Sequence, residues 1–319
     1  MDQASNELVT IFGGSGFVGT QIVQMLAQKG FRMRIAVRRP DLAGHLRPLG
    51  AVGQIAPIQA NVRNAESVAH AVRGASIVIN LVGIGFERGN QNFDAIHIAG
   101  AHNVAAAAKA AGASRLIHMS ILGADPRSPS STARSRARGE VEVLATYPEA
   151  VIMRPSIMFG PGDGYFNLMA ALARYAPIMP LIGGKSRFQP IYVRDVAQCI
   201  VTALDDDVTI GQTYNLCGPK VYTLRELVRY AADVSGKPRP IVPLGPAMAR
   251  LQALTLELLP GRLMSRDNLA SMTRDNVCDA PFPSVFRLEP TALEAVAPMW
   301  LAPEAIRSPF DVYREHSGR

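Results

Sequence analysis

The stretch "TIFGGSGFVG", Thr10 to Gly19, joins a short apolar run to a segment of helical period, "FVGTQIVQMLAQKG". Gly13, Gly16 and Gly19 have the spacing G-x-x-G-x-x-G, and a strand before and a helix after them are typical of a dinucleotide-binding turn. The first glycine permits a tight turn, the second lets backbone N–H groups approach a pyrophosphate, and the third lets the helix pack closely on the sheet. We therefore predict a nucleotide-binding turn; the alternative is a glycine-rich turn without this function.

Short apolar runs alternate with segments of helical period as far as Met153. This alternation is typical of successive βα units, so it predicts an α/β fold with a parallel sheet covered on both faces, of the Rossmann type. We predict six strands in doubly wound order and an alanine-rich helix over residues 99–112. The predicted strands are the runs LVTIF, MRIAV, QIAPIQA, SIVINLV, SRLIHMS and AVIMRPS.

Stretches rich in glycine and proline interrupt this alternation after the sixth run. We predict a nucleotide-binding domain over residues 1–155 and a smaller, loop-rich C-terminal lobe over residues 156–319, interleaved with the first and lying over the carboxyl ends of the strands. Short helices are expected at 193–204 and 223–234. The apolar segment 246–259 is either a docking or membrane-surface helix or a helix buried in its own lobe.

The bulk composition is that of a folded globular protein. Of 319 residues, 48% are hydrophobic and 18% charged, which predicts a large packed core and argues against disorder. No apolar run reaches the roughly 18 to 20 residues of a membrane span, and the N-terminus has no signal-peptide pattern. Because three cysteines and six histidines are dispersed along the chain, we expect neither a metal site nor a disulfide framework, and this favours a reduced, cytoplasmic setting.

The net charge of +7 narrows the class of partner. A basic protein can bind anionic lipid, a phosphate-bearing ligand, an acidic protein or nucleic acid. Aromatic residues are only 6% of the chain and do not interleave with the arginines, so no stacking surface for nucleic acid is evident. We therefore expect no nucleic-acid partner.

The residues after the second predicted strand indicate which dinucleotide would bind. An NAD site is expected to have Asp or Glu there, to bind the ribose 2′-hydroxyl. The chain has Arg38 and Arg39 instead, in "IAVRRPDL", and a guanidinium group suits a 2′-phosphate. We therefore favour NADP(H) over NAD(H), and the alternative is that one or both arginines point into solvent.

Two further loops complete the predicted cofactor site. "QANVRNAES" follows the third strand and would place its Asn-Val pair beside an adenine, while "NLVGIG" follows the fourth and would lie under the nicotinamide ribose. The predicted cofactor contacts are Gly13, Ser15, Gly16, Phe17, Val18, Gly19, Arg38, Arg39, Asn61, Val62, Leu81, Val82, Gly83 and Arg136.

Four motifs occur in a familiar order: "GGSGFVG", "HMS" at His118–Ser120, "RPSIMFGPGDG" at Arg154–Gly164 and "IYVRDVAQ" at Ile191–Gln198. In these motifs, and over nearly its entire length, the chain resembles the extended, atypical short-chain dehydrogenases/reductases. The segments "SILGADPRSPS", "PSIMFGPGD", "FQPIYVRDVA" and "LPGRLMSRDNLASMTRDNV" are similar, more narrowly, to the nucleotide-binding accessory subunits of respiratory complex I and their bacterial relatives.

This resemblance implies a cofactor, a location and partners. The cofactor would be a tightly held NADPH. The location would be the peripheral arm of complex I near its quinone site, against core subunits, on the cytoplasmic face of the inner membrane or the matrix face in a mitochondrion. Contact with anionic lipid is left open, and no transmembrane span is expected.

The proton-transfer residues of the family's reductases are incomplete in this chain. Those reductases use a serine, a tyrosine and a lysine four residues after the tyrosine. Ser120 closes the fifth predicted strand, but Thr132 and Arg136 stand at the Tyr and Lys positions, and none of the eight tyrosines has a lysine four residues later. Thr132 is a poor general acid or base because an alkyl hydroxyl ionises well above the phenol pKa of about 10. Arg136 has no phenol to activate but can still bind ribose hydroxyls or a phosphate.

The same segment is rich in arginine. It forms either a basic face for an acidic partner or lipid headgroup, or a solvated helix surface neutralised by Glu140 and Glu142. The residues concerned are Arg127, Arg134, Arg136 and Arg138.

Three functions follow from these observations. We favour a catalytically silent NADP(H)-binding accessory or assembly subunit, which a dinucleotide at a hundred times its Kd would stabilise by roughly 2.7 kcal/mol without turnover. The alternative is an NADPH-dependent reductase or epimerase acting on a small or quinone-like substrate. The third is an NADPH-sensing regulator, which requires a conformational change on binding.

Overall fold

The computed structural model describes residues 7–244 and 274–302. The chain divides into two compact units, each formed by three separate segments. The first unit consists of Met1–Ser156, Val193–Leu216 and Cys278–Glu289, and the second of Ile157–Tyr192, Cys217–Val277 and Pro290–Arg319. All the predicted cofactor contacts belong to the first unit.

The described strands and helices are as follows. The strands are β1 Leu8–Phe12, β2 Arg32–Val37, β3 Ile55–Gln59, β4 Ile77–Asn80, β5 Arg115–Met119, β6 Val151–Pro155, β7 Met158–Phe159, β8 Met179–Leu181, β9 Arg187–Phe188, β10 Ile191–Tyr192, β11 Thr213–Leu216, β12 Tyr222–Thr223 and β13 Ile241–Pro243. The helices are α1 Phe17–Gln28, α2 Ala65–Val72, α3 Gly100–Ala110, α4 Ser131–Thr146, α5 Phe166–Tyr175, α6 Val193–Asp205, α7 Leu224–Val234, α8 Leu293–Val296 and α9 Pro298–Leu301.

A parallel sheet of order β3-β2-β1-β4-β5-β6-β11 forms the centre of the first unit. Helix α1 packs against α6, whereas α2, α3 and α4 form a second packed set whose core includes Phe12, Val78 and Leu116 of the sheet. The strand order reverses between β1 and β4, and in such sheets ligands bind where the carboxyl ends of these strands diverge. The predicted doubly wound α/β fold is confirmed, and the glycine turn lies at this crevice.

The sheet has seven strands, so the predicted number of six is wrong. The six predicted runs all form strands, and the seventh strand is β11, which pairs in parallel with β6. Its sequence, "TYNL", is short and half-exposed. A strand of this kind has no continuous apolar run to mark it in the sequence.

The predicted alanine-rich helix occurs as α3, with an unpredicted π-helical turn, Asp94–Ala99, before it. Gly112 follows the helix with φ +67°, a conformation that favours glycine. Helix α4 approaches the π-helical turn closely, because a Cβ at Gly139 would lie 2.0 Å from the His97 carbonyl oxygen. Such π-helical turns are rare and often occur at functional sites.

The other predicted helices also form. Helix α6 belongs to the first unit, where it packs on α1. Helix α7 begins with a capping box between Thr223 and Glu226, and it packs on α5 in the second unit around a core that includes Phe159 and Leu227. Segment 246–259 lies outside the described residues, so its predicted docking role stays a prediction.

The cysteines differ from expectation. Cys199 is a buried free thiol, but Cys217 and Cys278 are disulfide-bonded. The dispersed spacing predicted no disulfide framework, and for these two residues the expectation is wrong, because spacing along a chain does not determine which cysteines form disulfide bonds.

The sequence predicts neither a membrane span nor a metal site. None of the helices in these ranges is long and apolar enough to cross a membrane. Within the same ranges, no three residues of the types His, Cys, Asp and Glu are grouped so that they could hold a metal ion.

Candidate dinucleotide-binding site

The glycine turn between β1 and α1 is closed so tightly that side chains do not fit. Gly13 has φ +79°, in the left-handed region that favours glycine. Gly16 N donates to the Gly13 carbonyl oxygen at 3.0 Å. A Cβ at Gly19 would lie 2.5 Å from that same oxygen. Gly13 therefore forms the predicted tight turn and Gly19 lets α1 pack closely on it, while the approach of the Gly16 backbone to a pyrophosphate stays a prediction.

The turn presents the N-terminus of α1 to the crevice. Gly16 is the N-cap residue and provides no side-chain cap, and the first turn of α1 contains no acidic residue. The first backbone N–H groups of a helix have no intrahelical acceptor, and together with the helix dipole they favour an anion. The N–H groups of Phe17 and Val18 are of this kind, and Ser15 and Gly16 are exposed beside them.

Gly14 is a residue that the spacing argument missed. A Cβ there would lie 2.9 Å from Cγ2 of Ile35 in β2, so this glycine lets the turn lie on the neighbouring strand. The two consecutive glycines in "GGSG" were the sequence signal that could have indicated this close approach.

Arg38 and Arg39 lie at the carboxyl end of β2, as predicted. Arg38 is exposed and its Nη1 donates to Oε1 of Gln91. Nη2 of Arg39 lies 3.2 Å from Oδ2 of Asp41, and both side chains are more than half exposed. Such a surface ion pair is worth little.

Asn61 and Val62 follow β3 and differ in accessibility. Asn61 is half-buried, and its Oδ1 accepts from the backbone N–H of Arg63 at 3.2 Å. Val62 is buried against Gly100, and its carbonyl oxygen accepts from Nδ2 of Asn103 at 2.9 Å. Arg63, which the sequence argument did not single out, is exposed beside Asn61.

The loop after β4 lies directly against the glycine turn. Leu81 N donates to the Phe12 carbonyl oxygen at 2.9 Å, and a Cβ at Gly13 would lie 3.3 Å from the backbone carbon of Leu81. Val82 N donates to Oδ1 of Asn80 at 3.2 Å. The structure therefore brings the glycine turn and the loop after β4 together at the switch point.

Arg136 packs on this loop from α4. A Cβ at Gly83 would lie 1.6 Å from Nη2 of Arg136. Nη1 donates to the carbonyl oxygens of Met119, at 2.9 Å, and Val82, at 3.5 Å. The side chain is only 7% exposed. This arginine therefore contacts two of the predicted cofactor-binding residues.

Arg136 remains a cation at neutral pH despite its burial. Burial lowers its pKa to about 10, against the opposing effect of Glu140. Glu140 is itself buried and pairs with Arg154, whose Nε donates to Oε1 at 2.9 Å. This hydrogen bond raises the pKa of Arg154, and the ion pair joins α4 to β6.

The residues at the family's catalytic positions gather beside Arg136. Ser120 follows β5 and is 1% exposed. Thr132 lies in the first turn of α4, whose N-cap Ser130 accepts from Ala133 N at 3.3 Å. Among the described residues, Ser120 Oγ and Arg136 Nε have no hydrogen-bond partner. Such unsatisfied buried groups would be satisfied by a polar ligand such as a dinucleotide.

Two buried histidines that the sequence argument did not use lie in the same region. Nε2 of His97 accepts from Ile84 N at 3.1 Å, so its Nδ1 is the donor to Ser135 Oγ at 2.8 Å. Nδ1 of His118 bonds with Nδ2 of Asn80 at 3.1 Å. Burial, and next in size the charge of Arg136, lower the pKa of each histidine to about 3. Both are therefore neutral and very weak bases at physiological pH.

Neither tyrosine of the first unit takes the place of the missing phenol. Tyr147 Oη donates to the Ala113 carbonyl oxygen at 2.6 Å, at the amino end of β5. Burial raises its pKa. Tyr214 packs its ring against Phe286. The Tyr147 phenol is thus engaged at the amino end of β5, and Tyr214 lies in the edge strand β11.

The four arginines around α4 do not share one face. Arg136 points inward, Arg134 donates to the Ser128 and Pro129 carbonyl oxygens, and Nη1 of Arg138 lies 3.6 Å from Oδ1 of Asp94. A basic face made of all four residues is therefore wrong. The physical reason is that α4 buries the side that carries Arg136 against the sheet.

Comparison with known proteins identifies similar sequences and structures. The sequence pattern of a family described as NAD(P)H-binding matches residues 13–150. The chain is 35% identical to NADH dehydrogenase (ubiquinone) 1 alpha subcomplex subunit 9 of Arabidopsis thaliana, over 86% of the chain and 71% of that protein. It is 38% identical to the Mus musculus protein of the same name, over 71% of the chain and 60% of that protein. The chain thus spans about three-fifths of the length of the mouse relative.

A relative with a different name is also similar. The chain is 34% identical to a ceramide reductase of Caulobacter vibrioides, over 73% of the chain and 72% of that protein. This relative is named as an enzyme, whereas the plant and mouse relatives are named as subunits.

Solved structures show the same fold at low sequence identity. A nucleoside-diphosphate-sugar epimerase of Staphylococcus aureus has a TM-score of 0.69 at 19% identity, over 90% of this chain and 98% of that one. A dTDP-glucose 4,6-dehydratase of Bacillus anthracis, in complex with NAD, has a TM-score of 0.61 at 19% identity, over 75% and 85%. The similarity to the Arabidopsis protein, of which the chain covers 71%, shows that the chain belongs to the family of NADH dehydrogenase (ubiquinone) 1 alpha subcomplex subunit 9.

Proposed function

We propose that this protein is an NADP(H)-binding accessory subunit of complex I that has no turnover of its own. The observation that carries the proposal is an intact glycine turn beside a site in which Thr132 and Arg136 stand where a reductase needs tyrosine and lysine. The turn supports binding, and the substitutions support the loss of proton transfer.

The chain's own residues could hold a dinucleotide without any rearrangement of the turn. The N–H groups at the start of α1 would bind the pyrophosphate. The arginines after β2 would bind a 2′-phosphate, and the Arg136 guanidinium would donate to ribose hydroxyls near Gly83. A bound nicotinamide would supply hydride transfer, so turnover would depend on a proton donor nearby.

The groups around Arg136 are poor proton donors at neutral pH. The pKa of about 10 keeps Arg136 protonated, and the pKa values of about 3 keep His97 and His118 deprotonated. A catalytic acid or base works best when its pKa lies near the working pH. This supports a dinucleotide that is retained for stability.

The proposed location is the peripheral arm of complex I, close to the quinone site and to the membrane surface. The names of the plant and mouse relatives support membership of complex I, and the position within it follows from the sequence resemblance. The test is to purify the tagged protein from its own membranes in mild detergent and to identify co-purifying subunits by mass spectrometry.

We expect core subunits of complex I to be recovered with the tagged protein and to be absent from an untagged control. Recovery of the tagged protein without any complex I subunit would contradict the proposal.

A second candidate function is an NADPH-dependent reductase acting on a carbonyl, quinone-like or lipid substrate. The similarity to a ceramide reductase supports it, and so does the buried hydroxyl of Ser120 at the carboxyl end of β5. Protein incubated with NADPH and a panel of quinones, carbonyl compounds and ceramides should oxidise NADPH if this function is correct. Oxidation no faster than in protein-free controls would exclude it for the compounds tested.

A further inference from the structure

The connection between β4 and α3 contains a small closed turn. Arg88 N donates to the Gln91 carbonyl oxygen at 2.9 Å, and Gln91 N donates to the Arg88 carbonyl oxygen at 3.0 Å. Gly89, between them, has φ +54°. Phe93 N donates to the carboxylate of Glu87 at 2.8 Å. We call residues 87–91 the β4–α3 turn.

Arginines that follow two neighbouring strands bind consecutive residues of the β4–α3 turn. Nη1 of Arg38, after β2, donates to Oε1 of Gln91, and Nη1 of Arg63, after β3, donates to the Asn90 carbonyl oxygen at 2.9 Å. Nε of Arg63 also donates to Oδ1 of Asn61 at 3.3 Å. Because the acceptors belong to adjacent residues, the two guanidinium groups are held near each other.

These acceptors are neutral, so they position the two charges without neutralising them. A guanidinium has five N–H donors, and the contacts above occupy one donor in Arg38 and two in Arg63. Arg39 differs, since it pairs with Asp41. Two like charges held close together are unfavourable unless an anion lies between them. The arrangement therefore suits a ligand with several negatively charged oxygens.

The position of the two arginines identifies that ligand. They lie at the carboxyl ends of β2 and β3, the edge of the sheet where a Rossmann fold binds the adenosine half of a dinucleotide. We propose that Arg63 binds the 2′-phosphate of NADP(H) together with Arg38, and that Asn90 and Gln91 position the two guanidinium groups. This inference rests on the proposed dinucleotide function and names a specificity residue that the sequence argument did not include.

The test compares ligands with and without a 2′-phosphate. Calorimetry would measure the binding of NADPH, NADH, adenosine 2′,5′-bisphosphate and adenosine 5′-monophosphate to full-length protein freed of nucleotide. For Arg63→Ala we expect NADPH and the bisphosphate to bind about 10- to 100-fold more weakly, as for the loss of charged hydrogen bonds. The affinities for NADH and the monophosphate should change by less than about twofold, because these ligands lack the 2′-phosphate that Arg63 is proposed to contact.

Three further variants make the test specific. Arg63→Lys keeps the charge but loses the two-donor fork, so it should retain part of the preference for NADPH. Gln91→Ala should lower NADPH affinity by less than Arg63→Ala does, because it removes only the positioning bond. Arg47→Ala removes an exposed arginine elsewhere in the same unit and should leave all four affinities unchanged.

The outcomes distinguish this inference from the proposed function. The assignment of Arg63 would be overturned if Arg63→Ala left the NADPH affinity unchanged, or if it lowered the affinities for NADPH and NADH equally. The proposed dinucleotide function would stand in either case. An equal loss of NADPH affinity in Arg47→Ala would indicate a general effect of charge and would also overturn it. Wild-type protein that binds neither dinucleotide would contradict both.

Discussion

Arg136 occupies a position that its residue type does not predict. Arginine is almost never fully buried unless it is paired, yet this side chain lies on Gly83 and donates to the Met119 carbonyl oxygen at 2.9 Å. It keeps its charge at neutral pH because burial lowers its pKa only to about 10. A buried cation next to the loop after β4 would gain from a ligand that accepts its remaining hydrogen bonds.

The contact between Gly83 and Arg136 can be tested by adding one methyl group. In Gly83→Ala the new Cβ would lie 1.6 Å from Nη2 of Arg136. The guanidinium, at the end of a long side chain, is expected to move and to lose its bond to Met119. Losing a hydrogen bond from a charged group costs about 1.5–3 kcal/mol, so we expect a lower free energy of unfolding in urea and weaker NADPH binding.

Gly85→Ala is the matched control, because no atom lies within 4 Å of a Cβ at that position. It should change the free energy of unfolding by less than about 0.5 kcal/mol. Equal effects of the two substitutions would show that the loss does not come from Arg136.

Two buried histidines connect secondary structure elements around the site. His97 joins the π-helical turn to α4 through Ser135 at 2.8 Å. His118 joins β5 to β4 through Asn80 at 3.1 Å. These bonds hold the elements in place only while the rings are neutral, since a protonated ring nitrogen cannot accept from Ile84 N or Asn80 Nδ2.

The histidines predict a stability that falls in acid. Their pKa values are about 3 in the folded protein, against 6.5 for an ordinary histidine. The unfolded chain therefore binds more protons between these two values, and the free energy of unfolding falls as the pH drops from 6.5 towards 3. Each histidine contributes up to about 1.4 kcal/mol per pH unit in this window.

Urea unfolding at a series of pH values measures this slope. His118→Gln should make the slope shallower, whatever it does to stability at neutral pH. His70→Gln, which replaces an exposed histidine of α2, should leave the slope as in the wild type. A slope that is the same in all three proteins would contradict the assignment of His118.

The sequence predicts the secondary structure elements better than it predicts the contacts between them. The glycine turn and the first six strands follow from local patterns, because spacing and apolar runs are visible along the chain. Strand β11 and the π-helical turn carry no such pattern. The inward direction of Arg136 and the bonds of Arg63 depend on which elements pack together, so only the fold reveals them.

The whole molecule combines an α/β fold of the dinucleotide-binding type with Thr132 and Arg136 at the positions of the family's tyrosine and lysine. Its relatives include complex I subunits and a reductase, so the fold alone does not decide between retention and turnover of a dinucleotide. The local chemistry favours retention, because Thr132 and Arg136 replace the family's proton-transfer pair. A ligand bound only by the folded state stabilises the whole chain without reacting.

The nucleotide that the purified protein carries tests this account most directly. Protein isolated without added nucleotide would be heated to release its ligand, and the ligand would be identified and quantified by mass spectrometry. We expect close to one NADP(H) per chain, identified by the mass of its 2′-phosphate. Protein that is fully folded but releases no dinucleotide, or releases NAD(H) instead, would contradict the account.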